Sequence, residues 1–255
     1  MTATTDELLS KVPKATFIFW IVKILATTLG ETGGDALSMT LNLGYALSSL
    51  ILLAFFAVTL AAQIKSRSFH PLFYWAVVVA TTTVGTTTSD YFDRTLELGY
   101  PLSSALLFSL VVTILVLWRY STGAIAIDKV TNRKDEIFYW ITILVSNTLG
   151  TALGDFVASS AGLGFERGSL FFAGLIALVA AAYFFMNIPH SILFWSAYIL
   201  TRPLGATLGD TLTKPHEEGG LALGRITSSL VIAIAMVLLV TLTYRRRANP
   251  PSPVS

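Results

Sequence analysis

The sequence contains no cysteine and few charged residues. The lack of cysteine excludes a disulfide framework, a thiolate metal site and a cysteine nucleophile. Only 13% of the 255 residues are charged, against about 25% in soluble domains, so a soluble globular enzyme is not expected. A net charge of +2 gives no indication of a nucleic-acid partner. What the chain has instead is a hydrophobic content of 54%, which indicates a polytopic membrane protein.

Long apolar segments make up most of the chain. Crossing the hydrocarbon core of a bilayer takes about 20 mostly apolar residues in a helix. Eight segments meet this requirement, at approximately 15–38, 44–64, 71–92, 99–119, 136–158, 168–187, 190–212 and 223–244. We therefore predict an all-α membrane protein with about eight transmembrane helices. Eleven Lys and Arg residues fall on one side of these segments and four on the other, which places both termini in the cytoplasm.

One pattern occurs four times, in the first, third, fifth and seventh segments, as TLGETGGD, TVGTTTSD, TLGTALGD and PLGATLGD. Each copy has a Trp ten residues before its first Gly. A further Gly stands nine residues after the Asp, except in the fourth copy, where the insertion Lys-Pro-His-Glu-Glu delays it. Each repeat is a pair of segments, so all four repeats share one orientation. This predicts four parallel two-helix repeats in a pseudo-four-fold or nested two-fold bundle, with the motif helices at its centre.

The interval between the second and third repeats is longer and contains a charged connection. It divides the chain into two membrane halves of two repeats each. The predicted divisions are a cytoplasmic N-terminal segment (1–14), the first half (15–121), a cytoplasmic linker (122–135), the second half (136–245) and a cytoplasmic tail (246–255).

The repeated Asp is the most informative position. A carboxylate inside a membrane span costs roughly 2.5–3.5 kcal/mol near the helix centre, so four of them indicate a shared polar cavity. Carboxylate and hydroxyl oxygens suit hard cations such as Mn²⁺ and Ca²⁺, and clustered carboxylates can also carry protons. An alternative is that each Asp only caps a helix end at the water interface. The predicted ion- or proton-binding residues are Asp35, Asp90, Asp155, Asp210, Glu31, Thr86 and Thr151, with the four Asp as metal ligands.

Two cations, Lys23 and Arg202, lie within the motif segments and are predicted counter-ions. With both counted, the acids still outnumber them, which favours a cation or proton pathway. We expect Arg202 to pair with Asp210, eight residues later, which requires that the segment is unwound or that the pairing involves a neighbouring helix. That pairing leaves Asp90 and Asp155 with fewer counter-charges and makes them the better ion sites. The segment containing Arg94 is interpreted as a solvated outer loop.

The small residues of the motif have two roles in this interpretation. They allow close helix packing, and together with Pro203 they weaken the helix so that it unwinds around a cavity. The residues are Gly30, Gly34, Gly85, Gly150, Gly154, Gly205 and Gly209. The repeated Trp is interpreted as an aromatic belt at the membrane surface.

This four-fold pattern, with its aromatic–Trp pair, resembles a bacterial family of uncharacterised membrane-anchored proteins built from four copies of a repeat of unknown function. The resemblance covers about residues 13–245. It implies the fold and a multi-pass location in the bacterial inner membrane, but no activity. More distantly, the chain is similar to manganese/calcium cation–proton exchangers with a Glu-apolar-Gly-Asp signature. The contiguous Glu-Gly-Asp and the following Lys/Arg-Thr of that signature are missing, so this link is an analogy.

Together these features predict a secondary transporter for a small hard cation such as Mn²⁺ or Ca²⁺, alone or coupled to protons. The chain has no phosphate-binding Gly-x-x-x-x-Gly-Lys-Ser/Thr motif and is not expected to be an enzyme or to need a cofactor. Its expected partners are membrane lipid and the cation or protons, and a homo-oligomer is compatible with the sequence. The alternative function is a membrane scaffold whose small residues pack helices. A cavity reaching the Asp residues favours the transporter, and a dry closed core favours the scaffold.

Overall fold

The computed structural model describes residues 13–66, 70–125, 130 and 132–248. These residues form eight α-helices and no strand, which confirms the all-α fold. The helices are α1 (Phe17–Asp35), α2 (Gly44–Lys65), α3 (Pro71–Asp90), α4 (Tyr100–Thr122), α5 (Arg133–Asp155), α6 (Phe165–Phe185), α7 (His190–Thr213) and α8 (Arg225–Ala248). Most of the predicted terminal segments 1–14 and 246–255, and part of the linker 122–135, lie outside the described residues.

Five helices are long and apolar enough to cross a membrane. They are α2, α4, α6, α8 and the segment Arg133–Ser160, which includes α5. The other three, α1, α3 and α7, carry more Thr, Gly and charged residues, and most of these are buried in the bundle. Eight crossings therefore remain a prediction from the sequence.

The four motif helices α1, α3, α5 and α7 form an inner ring. Each packs against the next, and α7 packs against α1 to close the ring. Each outer helix packs against the inner helix of the following repeat, so α2 lies on α3, α4 on α5, α6 on α7, and α8 returns to α1. Equivalent hydrogen bonds mark two of these contacts, from Ser49 to Thr87 (2.9 Å) and from Ser229 to Thr32 (2.8 Å). The outer helix of each repeat therefore packs on the next repeat along the ring, and no repeat could bury this contact surface by itself.

The same sequence positions meet at all four interfaces of the inner ring. The first motif glycine of each helix faces the residue three positions before the first glycine of the next helix. The pairs are Gly30–Thr82, Gly85–Asn147, Gly150–Arg202 and Gly205–Thr27, and a Cβ on any of these glycines would come within 2.9 Å of its partner. One turn further on, Gly34 faces Thr86 and Gly209 faces Glu31. Because the contacts advance in the same direction along both helices, the inner helices run parallel.

The chain leaves three inner helices in the same way. After the motif Asp, α1, α3 and α5 widen into π-helical turns at Ala36–Thr40, Tyr91–Thr95 and Phe156–Ser160. The outer helices then begin at left-handed glycines, Gly44 (φ 71°), Gly99 (φ 74°) and Gly164 (φ 75°). Glycine adopts this conformation without the strain of a Cβ, which explains the Gly nine residues after the Asp. In contrast, α7 continues as an α-helix to Thr213, and the insertion that follows forms a 3₁₀ turn at His216–Glu218.

The prediction of unwound motif helices is wrong. The inner helices are continuous through both glycine positions, and Pro203 is accommodated inside α7. The glycines bring neighbouring helices together, and this packing supports the backbone that the glycines would otherwise loosen.

The interpretation of the repeated Trp as a surface belt is also wrong. Trp75, Trp140 and Trp195 are only 6%, 3% and 3% exposed, and Trp20 is partly buried, with its ring centroid 5.6 Å from that of Phe194. They pack against aromatic residues of neighbouring inner helices, with ring centroids 5.5 Å apart for Phe19 and Trp75 and 5.8 Å apart for Tyr139 and Trp195. The aromatic residues therefore form a core at one end of the ring, called here the Trp end, opposite the Asp end. Spacing along a helix gives the depth of a residue and does not decide whether it faces lipid or a neighbouring helix.

Candidate functional site

The inner helices carry side chains in successive layers, four residues apart, and most of the side chains in these layers are polar or charged. These layers are buried, and they run from the Trp end to the Asp end of the ring. In this order they contain Lys23, Val78, Ile143 and Tyr198; then Thr27, Thr82, Asn147 and Arg202; then Glu31, Thr86, Thr151 and Ala206; and then Asp35, Asp90, Asp155 and Asp210.

Arg202 connects all four inner helices. It is fully buried, and its guanidinium donates to Glu31 Oε2 on α1 (3.1 Å) and to the hydroxyls of Thr86 on α3 (2.5 Å) and Thr151 on α5 (2.6 Å). The predicted pairing of Arg202 with Asp210 is therefore wrong. A residue eight positions from its partner in a continuous helix is about 12 Å along the axis, whereas Glu31 lies on the adjacent helix. Thr86 and Thr151, two predicted ion ligands, are engaged by this arginine.

Lys23 does not act as a counter-ion, contrary to its predicted role. It is fully buried, and its ammonium makes no hydrogen bond within the described residues. Its Nζ lies 4.3 Å from the centroid of the Tyr198 ring, a cation–π distance. The reason is depth, since Lys23 lies twelve residues before Asp35 and eight before Glu31 on the same continuous helix.

The four motif Asp residues are buried at the Asp end, where three basic side chains meet them, two from the segments that follow α3 and α7 and one from the start of α8. Arg94 Nε lies 2.9 Å from Asp90 Oδ1, and Arg94 Nη2 lies 3.7 Å from Asp155 Oδ2. The prediction that these two acids lack counter-charges is therefore wrong, as is the interpretation of Arg94 as part of a solvated loop. The loop is the π-helical turn Tyr91–Thr95, which continues α3 and places Arg94 one turn beyond Asp90.

Lys214 occupies the equivalent position in the fourth repeat. Its Nζ lies 3.3 Å from Asp210 Oδ1 and 3.6 Å from Asp35 Oδ2, and Arg225 Nε lies 3.5 Å from the same Asp35 oxygen. Although burial opposes its charge, the carboxylates of Asp210 and Asp35 raise the pKa of Lys214 above its ordinary value. Arg94 and Lys214 thus each bridge the Asp of their own repeat and the Asp of the next, which gives the Asp end a two-fold pattern.

The excess of acids at the site is smaller than predicted. Four basic side chains contact the five acids, and Lys23 lies deeper in the same ring, away from them. One negative formal charge is therefore left at the site. A substrate cation would compete there with the cations that the protein already provides.

Three carboxylates come together at the closure between α1 and α7. One oxygen from each of Glu31, Asp35 and Asp210 lies within 4.8 Å of the others, and all three residues are buried. Asp35 Oδ2 and Asp210 Oδ1 have no hydrogen-bond partner within the described residues. Three oxygen ligands at this separation fit the donor set of a hard divalent cation. The other two motif acids, Asp90 and Asp155, lie outside this cluster and share Arg94.

The family of the chain follows from its repeats. The family described as Repeat of Unknown Function (DUF347) matches the sequence four times, over residues 18–69, 73–124, 138–188 and 193–249. The chain belongs to this family. Each match covers one inner helix, the following outer helix and the connection between them, so the DUF347 unit is the two-helix repeat seen in the fold. No curated protein and no solved structure matches the chain.

The DUF347 repeat contains a signal that the sequence interpretation missed. Arg94 and Lys214 both stand four residues after the motif Asp, in the second and fourth repeats, where the first and third have Met39 and Ser159. Positions four apart face the same side of a helix, so the alignment of the repeats could have identified both cations as partners of the acids. Arg225 carries no such signal, because it reaches Asp35 from the start of an outer helix.

Proposed function

We propose that this DUF347 protein is a secondary transporter in the bacterial inner membrane for a small hard cation, alone or coupled to protons. One observation supports this function above the others, namely the buried cluster of Glu31, Asp35 and Asp210. Three buried carboxylates are expensive to maintain in a purely structural bundle, and their oxygens suit Mn²⁺ or Ca²⁺. In this proposal eight helices cross the membrane, both termini are cytoplasmic, and the Asp end faces outward.

The nearly compensated charge of the site is compatible with transport if the arrangement is a closed state. The cations Lys214 and Arg225 then compensate the acids while no substrate is bound. Binding of a substrate cation requires these side chains to withdraw. A ligand shifts the population of two conformations only if it binds one of them more tightly. Exchange of the substrate cation for Lys214 and Arg225 would therefore couple ion binding to the change between the closed and open conformations.

A membrane scaffold remains the second candidate function, and a specific observation favours it. Two pockets among the described residues lie away from the acids, one near Pro71 and Tyr244 and one between α2 and α4, and neither of these two is lined by a motif Asp. The close glycine contacts of the inner ring are also what a packing function requires.

Transport assays of matched carboxylate variants distinguish the two functions. In proteoliposomes, we expect the wild-type protein to carry Mn²⁺ or Ca²⁺, and Asp35→Asn and Asp210→Asn to lower the flux at least about tenfold, because each removes a charged ligand. Glu166→Gln is the control, since Glu166 is an exposed acid at the same end of the bundle. It should retain the wild-type flux.

The scaffold predicts a different result. A folded, monodisperse wild-type protein that carries neither ion would contradict transport of these ions. If Asp35→Asn and Asp210→Asn both retain the wild-type flux, the carboxylate cluster does not take part in transport.

A further inference from the structure

The fourth repeat departs from the other three immediately after its motif Asp. Here α7 stays α-helical to Thr213, and the chain then turns into an extended conformation at Lys214 (φ −70°, ψ 153°). The insertion Lys-Pro-His-Glu-Glu follows, so this is the one repeat in which a lysine and an additional loop occur together at the acids.

The insertion is a compact loop tied to the end of α7. Backbone amides of Leu221, Ala222 and Leu223 donate to carbonyls of Thr211, Lys214 and Leu212 at 2.8–2.9 Å. The loop closes at its tip through a left-handed Gly219 (φ 82°). Gly220 packs directly against the backbone of Lys214, because a Cβ there would lie 2.1 Å from the Lys214 carbonyl oxygen.

The Lys214 side chain leaves this loop and enters the carboxylate cluster. Its side chain is only 6% exposed. The two oxygens that it approaches, Asp210 Oδ1 and Asp35 Oδ2, accept no hydrogen bond within the described residues. The ammonium therefore compensates their charge at 3.3–3.6 Å without making a hydrogen bond to either oxygen. Arg225 Nε also lies 3.5 Å from Asp35 Oδ2. Buried carboxylate oxygens that accept no hydrogen bond can coordinate a ligand directly once these cations move away.

We infer that Lys214 is a tethered competitor of the substrate cation, held in the Glu31–Asp35–Asp210 site by the insertion loop, an inference that rests on the proposed function. A divalent cation and the ammonium require the same oxygens, so they bind alternately. Withdrawal of the loop removes one positive charge and opens the site from the Asp end. Return of the loop expels the bound ion and closes the site again.

Mn²⁺ binding to the purified full-length protein, measured by calorimetry in detergent, tests this inference. Lys214→Gln should bind Mn²⁺ at least about tenfold more tightly than the wild type, because it removes a positive charge next to the site. Arg167→Gln is the control for a general loss of charge, since Arg167 is an exposed cation at the same end. Its affinity should stay within about threefold of the wild type, because exposed charges are well screened.

A second variant leaves the lysine in place. Gly220→Ala should displace the loop from the Lys214 backbone and raise the Mn²⁺ affinity by a smaller factor than Lys214→Gln. Adding Asp210→Asn to Lys214→Gln should abolish the gain. Gly220→Ala keeps the test valid if Lys214→Gln folds poorly.

The outcomes separate the inference from the function on which it rests. If Mn²⁺ binding by the wild type depends on Asp35 and neither Lys214→Gln nor Gly220→Ala raises the affinity, Lys214 is not a competitor, while the proposed transport function stands. If the wild type and both variants bind neither Mn²⁺ nor Ca²⁺, both the proposed site and the role of Lys214 are contradicted.

Discussion

Arg202→Met is expected to destabilise the folded protein by about 3–5 kcal/mol, the usual cost of leaving one member of a buried ion pair without its partner. Arg202 is fully buried and bonded to Glu31, Thr86 and Thr151 on three other helices. Its loss leaves the Glu31 carboxylate in the ring with Thr86, at 3.3 Å, as its remaining side-chain donor within the described residues. Thermal unfolding in detergent, followed by tryptophan fluorescence, measures the change.

The double variant Arg202→Met/Glu31→Gln should recover most of this loss. It removes both charges together, and replacing a buried ion pair as a unit is often close to neutral. Arg167→Met is the comparison, because Arg167 is an exposed cation, and loss of an exposed charge changes stability little. Equal melting temperatures for Arg202→Met and the wild type, or a double variant less stable than the single one, would contradict the central role of this ion pair.

The repeat made much of the architecture predictable. Four copies of one two-helix unit, with small residues on the motif helices, are sufficient to predict an all-α bundle with those helices at its centre. The contacts between Gly30 and Thr82 and between Gly205 and Thr27 depend on the same sequence position in every repeat. Similarity between repeats therefore carries information about the packing between them.

The pairing of charges was less predictable, for a physical reason. Spacing within one helix fixes the depth of Arg202 and Glu31 but not the offset between α7 and α1, which is set by side-chain packing at their interface. Arg94 was missed because the predicted segment ends at residue 92 and the residues after it were interpreted as a solvated loop, whereas a π-helical turn continues the helix to Thr95. The buried Trp residues show the same limit, since depth alone could not separate a lipid-facing belt from a core.

Gly205→Ala is expected to have the second large effect, because it tests the closure of the ring between the last and the first repeat. A Cβ on Gly205 would lie 2.1 Å from Thr27 Oγ1, 2.5 Å from Thr27 Cβ and 2.8 Å from its backbone carbon. Rotation of the Thr27 side chain cannot relieve the last two contacts, so α1 and α7 must separate. We expect a loss of stability at or above the upper end of the roughly 1–3 kcal/mol typical of overpacked cores.

Two further glycines provide a graded control for this measurement. A Cβ on Gly154 would lie 3.3 Å from Ala206 Cβ, and one on Gly174, in the outer helix α6, would meet nothing within 4 Å. Gly154→Ala should therefore cost less than Gly205→Ala. Gly174→Ala should leave the stability unchanged or raise it by up to about 1 kcal/mol, since alanine is the better helix former. Because Thr27 belongs to the first repeat and Gly205 to the fourth, a Gly205→Ala protein that melts like Gly174→Ala would show that the two repeats do not meet and that the ring is open.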